Sequence, residues 1–494
     1  MMTLQIAKKL FANFEAEQLT YCHWKSNQHL QEGLCGLTDL DLLALEEEAP
    51  KLERVFEQLA MVKVKATQQD YPGIEDWLGF DRASGALIHL HLHYKLVLGE
   101  KNLKSIHLPL ENWLLKNSVS SEEVRIAAPE CELMLLIIRA VLKIDSTDLI
   151  KALIKRSPSI LPVGTRREFD WLLERWNRKH FVSLFKKSNL PLDLNIFLQF
   201  IEHYNKGSLT TFYLLRTRLY FLRRLKPYSR YSGFQAFLLR TGSFIKSLPV
   251  FKKGKNKSKK RLAGRTLFFA LVGADGSGKS SLVRDLKKWL GWKLAVDQIY
   301  FGIPKQQLFR HFTKGLASVA REAKKISRRF KFSPLERIFK HCEKTFNALY
   351  WLYLGRSRLL KYKKALALAA SGQVVIADRY PLEAFKKMKE PMDGPRIPSR
   401  PGPLLAKMAS LEREYYQKIS DPPLMLVLQA DLNVLKERRS DLALSSHIEK
   451  CRAVNQIKAC ENVYIVNAEA DYAEVLLTCK QLIWSYLHGS SKIE

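Results

Sequence analysis

The sequence predicts an α/β protein of several domains, and three observations predict it. A glycine-rich stretch, Gly273-Ala274-Asp275-Gly276-Ser277-Gly278-Lys279-Ser280, directly follows the apolar run Leu267 to Val272. Further apolar runs at Val374 to Ala377, Leu424 to Leu428 and Val463 to Val466 are separated by long helical patterns. Near the other end, Asp39 and Asp41 stand two residues apart in a strand-like run. Continuous apolar strands alternating with helices require a parallel sheet covered by helices on both faces.

At 494 residues the chain exceeds one ordinary core and divides into two or three domains. We expect an α/β domain over 1–125, a helical region over 126–250, a basic linker over 251–264 and a second α/β domain over 265–489. In the first, helical patterns alternate with short runs such as Leu40 to Leu43 and Leu87 to Tyr94. In the second, Leu133, Leu136, Ile137, Ala140 and Val141 recur at helical spacing. The boundary is marked by Lys252 to Arg261, where seven of ten residues are basic; such a segment buries no core and reads as a mobile tether.

Lysine and arginine exceed the acids by 81 − 49 = 32, a field that attracts polyanions or acidic membrane surfaces. Seven cysteines are scattered without a C-x-x-C pair, which fits reduced thiols better than disulfides or zinc. No secretory signal and no uncharged transmembrane stretch is visible. The expected location is therefore the cytoplasm, with peripheral contact at the inner membrane face left open.

The spacing G-x-x-x-x-G-K-S carries its own chemistry. Glycines let backbone N–H groups turn around phosphate oxygens, Lys279 reaches the terminal phosphates, and Ser280 is placed to ligate Mg²⁺. Gly273, Asp275, Gly276, Ser277, Gly278, Lys279, Ser280 and Ser281 are the expected nucleotide contacts. After the loop Leu282, Val283, Leu286, Trp289 and Leu290 recur at helical spacing, which sets the phosphates at a positive helix terminus. A second motif, Val374 to Ala377 followed by Asp378-Arg379-Tyr380, ends a buried strand on a carboxylate where Mg²⁺ needs an anion, with Arg379 beside it for another phosphate.

These two motifs together resemble the thymidylate kinase group of nucleoside monophosphate kinases, over roughly Leu262 to Leu487. The resemblance implies ATP and Mg²⁺ as cofactors, with Lys279, Asp378, Arg379, Arg438 and Arg439 as catalytic residues and Ser280 and Asp378 as metal contacts. Arg438 and Arg439 follow the strand Leu424 to Leu428 and correspond to an arginine-bearing lid; Lys450 and Arg452 are lid candidates or solvated helix charges. An arginine on the helix before the D-R-Y strand contacts the acceptor phosphate in this family, and Arg356 and Arg358 both fit that place. The chain departs from the family at Asp297 to Pro304, which lacks the R-E-P-G-G-T arginine, at the basic stretch Lys324 to Lys331, and at Met392 to Pro398. The arrangement is similar to thymidylate-kinase-like proteins of bacterial surface-polysaccharide gene clusters, whose acceptor need not be a nucleotide.

In the first domain, the side chains of Asp39 and Asp41 share one face of a strand and can share a divalent metal. With Trp24-Lys25-Ser26 upstream, the segment resembles the nucleotidyltransferase superfamily, whose Gly-Ser pair is replaced here by Gly33-Leu34. On a later strand His89, His91 and His93 alternate with aliphatics and share one face. Either they join the aspartates in a mixed metal site that favours transition metals, or they are the polar face of a half-exposed strand.

From Thr211 to Val250 aromatics interleave with arginines, among them Phe212, Tyr213, Arg216, Arg218, Tyr220, Phe221 and Arg224. A core helix with outward arginines, a membrane-surface helix and a nucleic-acid grip all suit this pattern. No nucleic-acid module signature is present, so nucleic acid is not an expected partner. The expected activity is transfer of the γ-phosphoryl of MgATP to a nucleotide or related acceptor. A sugar or glycolipid kinase, a bifunctional nucleotidyltransferase and kinase, and an ATP-binding scaffold are the alternatives. ATP, the acceptor, an anionic membrane and a second copy of the chain complete the expected partners.

Overall fold

The computed structural model describes residues 2–67, 71–100, 103–121, 124–144, 161–247, 259–302, 333–382, 394–398, 402–438 and 445–489, with a few single positions between 303 and 332. They fall into two compact units, Met1–Ser258 and Lys259–Glu494.

The first unit opens with helix α1 (Gln5–Ala16), which buries Ile6, Ala7, Leu10, Phe11 and Phe14 along one stripe. Strands β1 (Tyr21–His23), β2 (Asp39–Ala44), β3 (Val62–Ala66), β4 (Ile74–Phe80), β5 (Leu87–His93), β8 (Ser118–Ser121) and β9 (Val124–Ala127) form a mixed sheet in the order β3-β4-β5-β2-β1-β9-β8. Strands β6 (Leu96–Leu98) and β7 (Ile106–Leu108) make a separate ribbon. The pairing that matters most is β2 with β5, parallel, which sets Asp39 beside His89 and Asp41 beside His91.

The predicted helical region follows as α5 (Pro129–Lys143), α6 (Val163–Leu173), α7 (Arg178–Lys187), α8 (Leu194–Asn205) and α9 (Thr211–Arg224), after the short helices α2 (Leu30–Leu34), α3 (Ala49–Gln58) and α4 (Glu111–Lys116). Asn177, Asp193 and Thr210 cap α7, α8 and α9 by accepting backbone N–H groups of the first turn. The helices are not a separate body. Leu133, Ile137, Phe169, Phe197 and Phe221 share one core with Cys22, Trp24 and Leu43 of the sheet. Each such fully buried side chain contributes roughly 1.5–3 kcal/mol relative to exposure. Helix α9 packs one face into this core: it buries Leu214, Thr217, Arg218 and Phe221, Arg218 donates to Glu100 at 2.7 Å, and Phe212 and Leu219 stay exposed on the other face. Helix α10 (Gly233–Ser247) leaves Phe234 and Leu238 exposed.

The predicted tether is only partly tested, since 251–258 lie outside the described residues. Its last part is structured, however: Lys260–Leu262 forms strand β10, which exchanges backbone hydrogen bonds with Lys293, Ala295 and Gly372. Basic composition did not prevent this because an edge strand is held by its backbone donors and acceptors, whatever its side chains.

The second unit is the predicted parallel sheet. Strands β11 (Leu267–Gly273), β12 (Val296–Tyr300), β13 (Val374–Asp378), β14 (Leu424–Gln429) and β15 (Val463–Asn467) run parallel in the order β12-β13-β11-β14-β15. Strand β11 is buried at every residue, as a central strand covered on both faces must be. The flanking helices are α11 (Lys279–Leu290), the long α12 (Ser333–Ala370), α13 (Pro403–Gln417), α14 (Leu432–Arg438), α15 (Ser445–Asn455) and α16 (Tyr472–His488). Gly372, at φ +79°, ends α12; a Cβ there would stand 2.4 Å from the Leu262 carbonyl oxygen.

Candidate functional site

Strand β11 delivers the chain to a sharp turn at Gly273 and α11 starts at Lys279. Gly276 and Gly278 hold φ +92° and +82°, a conformation that side chains with a Cβ resist. Gly273 is needed for space: a Cβ there would meet Ser277 Oγ at 2.5 Å and Leu428 Cβ at 3.1 Å. Ser277 is buried and donates from Oγ to the Ala274 carbonyl at 2.8 Å, which braces the turn. Ser280 is exposed on the first turn of α11 and Ser281 half-buried beside it.

Three cations from three elements converge on Asp275. Lys450 Nζ, from α15, lies 3.5 Å from its Oδ1. Lys279 Nζ, from the loop, and Arg379 Nη2, from the end of β13, each lie 3.8 Å from the same oxygen. Lys279 also donates to the Ala274 carbonyl. Burial, then the positive charges of Lys450 and Arg379, lower Lys279 to about 8 against the pull of Asp275 and Asp378. The lysine is therefore poised to gain from an anion. Of the two lid alternatives for Lys450 and Arg452, Lys450 turns into the site and Arg452 is exposed.

Asp378 sits beside Leu271 and Tyr300 in the sheet register, one strand from the loop. Arg379 follows at φ +56°, a left-handed conformation that costs roughly 1–2 kcal/mol in a residue other than glycine. Its guanidinium carbon lies 6.0 Å from the Tyr300 ring centre, and its Cδ would be 2.8 Å from a Cβ placed on Gly302. The strain thus aims Arg379 along the loop while packing its stem.

Arg358 and Arg356 separate cleanly. Arg356 is exposed; Arg358 is buried, donating from Nε to the Phe301 carbonyl at 2.8 Å and from Nη1 to Tyr416 Oη at 2.6 Å. Nearby, Glu412 accepts the Ile397 N–H at 2.8 Å and an Arg396 N–H at 3.0 Å, and burial raises its pKa. Arg438 donates to the Ala468 carbonyl at 2.7 Å, so its guanidinium is committed to the loop after β15 rather than to Asp275. Arg439, most of Lys324 to Lys331 and the start of the Met392 to Pro398 segment lie outside the described residues.

In the first unit, a cavity of about 430 Å³ is lined by Trp24, Lys25, Ser26, Asp41, His93 and Arg139, among others. Lys25 Nζ lies 2.9 Å from Asp41 Oδ1. Burial opposes ionisation of Asp41, but Lys25, His93 and His91 hold it well below the usual carboxylate range. Asp39 takes a different partner, His89 Nδ1 at 2.8 Å. The half-exposed histidine strand is corrected: His89 and His93 are fully buried and only His91 reaches partial exposure, because β5 lies inside the sheet between β4 and β2, with His89 between Asp39 and Asp76, and His93 faces a cavity that Leu136, Arg139 and Ala140 of α5 also line. Asp76 and Arg139 escape the sequence reading, for one comes from an antiparallel neighbour strand and the other interrupts the apolar stretch Leu133 to Leu142 of α5. Asp76 Oδ1 lies 2.7 Å from His91 Nδ1, and Arg139 donates to Glu168 at 2.6 Å. Below them Glu132 accepts from Asn27 N and Nδ2 at 3.1 and 2.6 Å; burial, then Glu168, raises it to about 7. Among the described residues no helix is long and apolar enough to cross a membrane, and no disulfide joins the cysteines.

No family model matches the chain. Over 214 residues it is 24% identical to the uncharacterised ATP-binding protein YghR of Escherichia coli strain K12, covering 42% of this chain and 82% of that one. The YghR of a second strain of the same species matches to the same extent. Among solved structures, a deoxyadenosine kinase from M. mycoides with bound dATP aligns with a TM-score of 0.26 and 13% identity, over 44% of this chain and 97% of that chain.

Proposed function

We propose that the second unit is an ATP-dependent phosphotransferase of the thymidylate kinase type, acting on a nucleotide or a related phosphorylated or hydroxylated acceptor. The observation that carries the reading is the convergence of Lys279, Arg379 and Lys450 on one edge of the glycine-rich loop. Phosphoryl transfer asks a protein chiefly for positioning and for fixed positive charge around the moving group. These three side chains supply the charge, and the backbone of Gly276 to Lys279 supplies N–H donors at the start of α11.

The residues present fit a magnesium-bound nucleotide. Ser280 offers an exposed hydroxyl on the first helical turn, and Asp378 a carboxylate at the strand end. Mg²⁺ held there would neutralise charge between the terminal phosphates. Arg379 then orients the acceptor side, Arg358 stiffens that wall through Phe301 and Tyr416, and Asp275 keeps the cations in register. The matching relative's name, an ATP-binding protein, supports the same donor.

The acceptor is read by incubating the protein with γ-labelled ATP and a panel of nucleoside monophosphates, sugars and glycolipids. Label transferred to one class names the acceptor. Label released only as inorganic phosphate, with every acceptor unmodified, favours an ATP-binding scaffold and sinks the kinase reading. The cavity beside Asp41 supports a second reading, in which the first unit carries a nucleotidyl-transfer activity of its own. Asp39→Asn and Asp41→Asn would then abolish that activity and spare the kinase.

A further inference from the structure

We propose that Asp41, His91 and His93 form a site for one divalent transition-metal ion of the zinc class, open on one side to the cavity of the first unit. This is distinct from a magnesium site shared by Asp39 and Asp41, because Asp39 is engaged by His89. One ligand atom from each of Asp41, His91 and His93 lies within 4.8 Å of the others, close enough for small side-chain rotations to bring them around an ion.

Two independent observations point to a ligand. His93 is buried to 1% exposure, yet neither of its ring nitrogens makes a hydrogen bond; Nε2 stands 3.8 Å from Asp41 Oδ1. A buried imidazole without a hydrogen bond costs free energy, and a metal ion would satisfy one of its nitrogens. His91, in turn, presents Nδ1 to Asp76 at 2.7 Å, leaving Nε2 for the ion. A carboxylate behind a histidine is the arrangement that fixes the ring and its tautomer in metal sites. Two imidazoles and one carboxylate suit zinc-class ions rather than Mg²⁺, which prefers oxygen ligands and water. Three protein ligands leave a position open, as in sites that act on a bound water or substrate oxygen. Asp41 and His93 face the cavity, and Lys25 and Arg139 line it, so the open position suits an anionic oxygen ligand.

Lys25 is the competing cation, 2.9 Å from Asp41 Oδ1. An ion entering the site would displace its ammonium, which the flexible stem allows. Removing that charge should therefore leave metal affinity intact or raise it.

The test uses the full chain, stripped with chelator and titrated with Co²⁺ without nucleotide, read by visible absorption and by metal content per chain. We expect one equivalent with the absorption of an imidazole-ligated ion, displaced by Zn²⁺ but not by excess Mg²⁺. His91→Gln and Asp41→Asn should lower affinity by more than tenfold, and Asp76→Asn by about 10–100-fold. Lys25→Met should bind as well as the parent or better. His91 is partly exposed, so His91→Gln decides the matter if His93→Gln does not fold. Lys279→Ala and Asp378→Asn should keep the same Co²⁺ stoichiometry, which separates this site from the nucleotide loop. Absence of binding, or binding unchanged in both His91→Gln and Asp41→Asn, overturns the proposal.

Discussion

Lys450 and Asp275 meet at 3.5 Å, an ammonium from α15 against a carboxylate of the glycine-rich loop. The contact ties the helix after β14 to the loop and completes a cationic rim with Lys279 and Arg379. If the rim stabilises charge on a moving phosphoryl group, Lys450→Met should lower turnover by roughly 10²-fold. Its effect on stability should stay within about 1 kcal/mol, because losing one of three cations also relieves repulsion while Asp275 keeps Lys279 and Arg379 beside it. Steady-state rates alongside urea unfolding check both halves.

Lys279 gives a pH dependence with a definite sign. Its pKa is lowered to about 8, so above that pH the ammonium loses its proton in the folded protein. A polyphosphate favours the charged form, so ATP affinity should fall as pH rises through 8, and binding at pH 8.5 to 9 should take up protons. Calorimetry in buffers of different ionisation enthalpy measures that uptake, and Lys279→Met should abolish it.

Gly273 tests the loop by volume alone. A Cβ would stand 2.5 Å from Ser277 Oγ and 3.1 Å from Leu428 Cβ, so Gly273→Ala should destabilise by about 1–3 kcal/mol and remove ATP binding. Thermal unfolding with and without ATP is the measurement: the parent should be stabilised by the ligand and the variant should not.

Glu132 contributes a definite slope to the pH response of the first unit. Burial and Glu168 raise its folded pKa to about 7 from 4.5, so the folded state keeps a proton that the unfolded state has released between those values. The contribution of Glu132 to stability should therefore fall as pH rises from 4.5 through 7, by an amount on the order of 1–3 kcal/mol, against the opposite slope of His23, His91 and His93, whose pKa values burial lowers. Glu132→Gln should flatten that slope. Urea midpoints at pH 5 and pH 8 for both proteins report it.

What the sequence made legible was what lies contiguous in it. The loop from Gly273 to Ser280 needs neighbours in fixed order, and its strand and helix stand where that order requires. Asp378 was legible because a buried apolar run ended on it. Arg356 and Arg358 were not separable, since both fall on one helix and only packing against Phe301 and Tyr416 decides which turns inward. Lys450 and Arg452 posed the same problem on α15. The histidine alternation gave a shared face but not its burial, which depends on the neighbouring strands β2 and β4 and, for His93, on the cavity wall that α5 supplies. The roles of Glu132 and Glu168 depend on partners, Asn27 and Arg139, that come from other parts of the chain.

We propose that the charged edge of the loop transfers phosphate. The most direct measurement is a single-turnover assay with γ-labelled ATP and the acceptor found in the panel, comparing the parent chain with Lys279→Ala and Asp378→Asn, each verified as folded. Labelled acceptor is expected from the parent, and a loss of roughly 10²-fold or more from each variant. Transfer at the parent's rate by folded Lys279→Ala would contradict it.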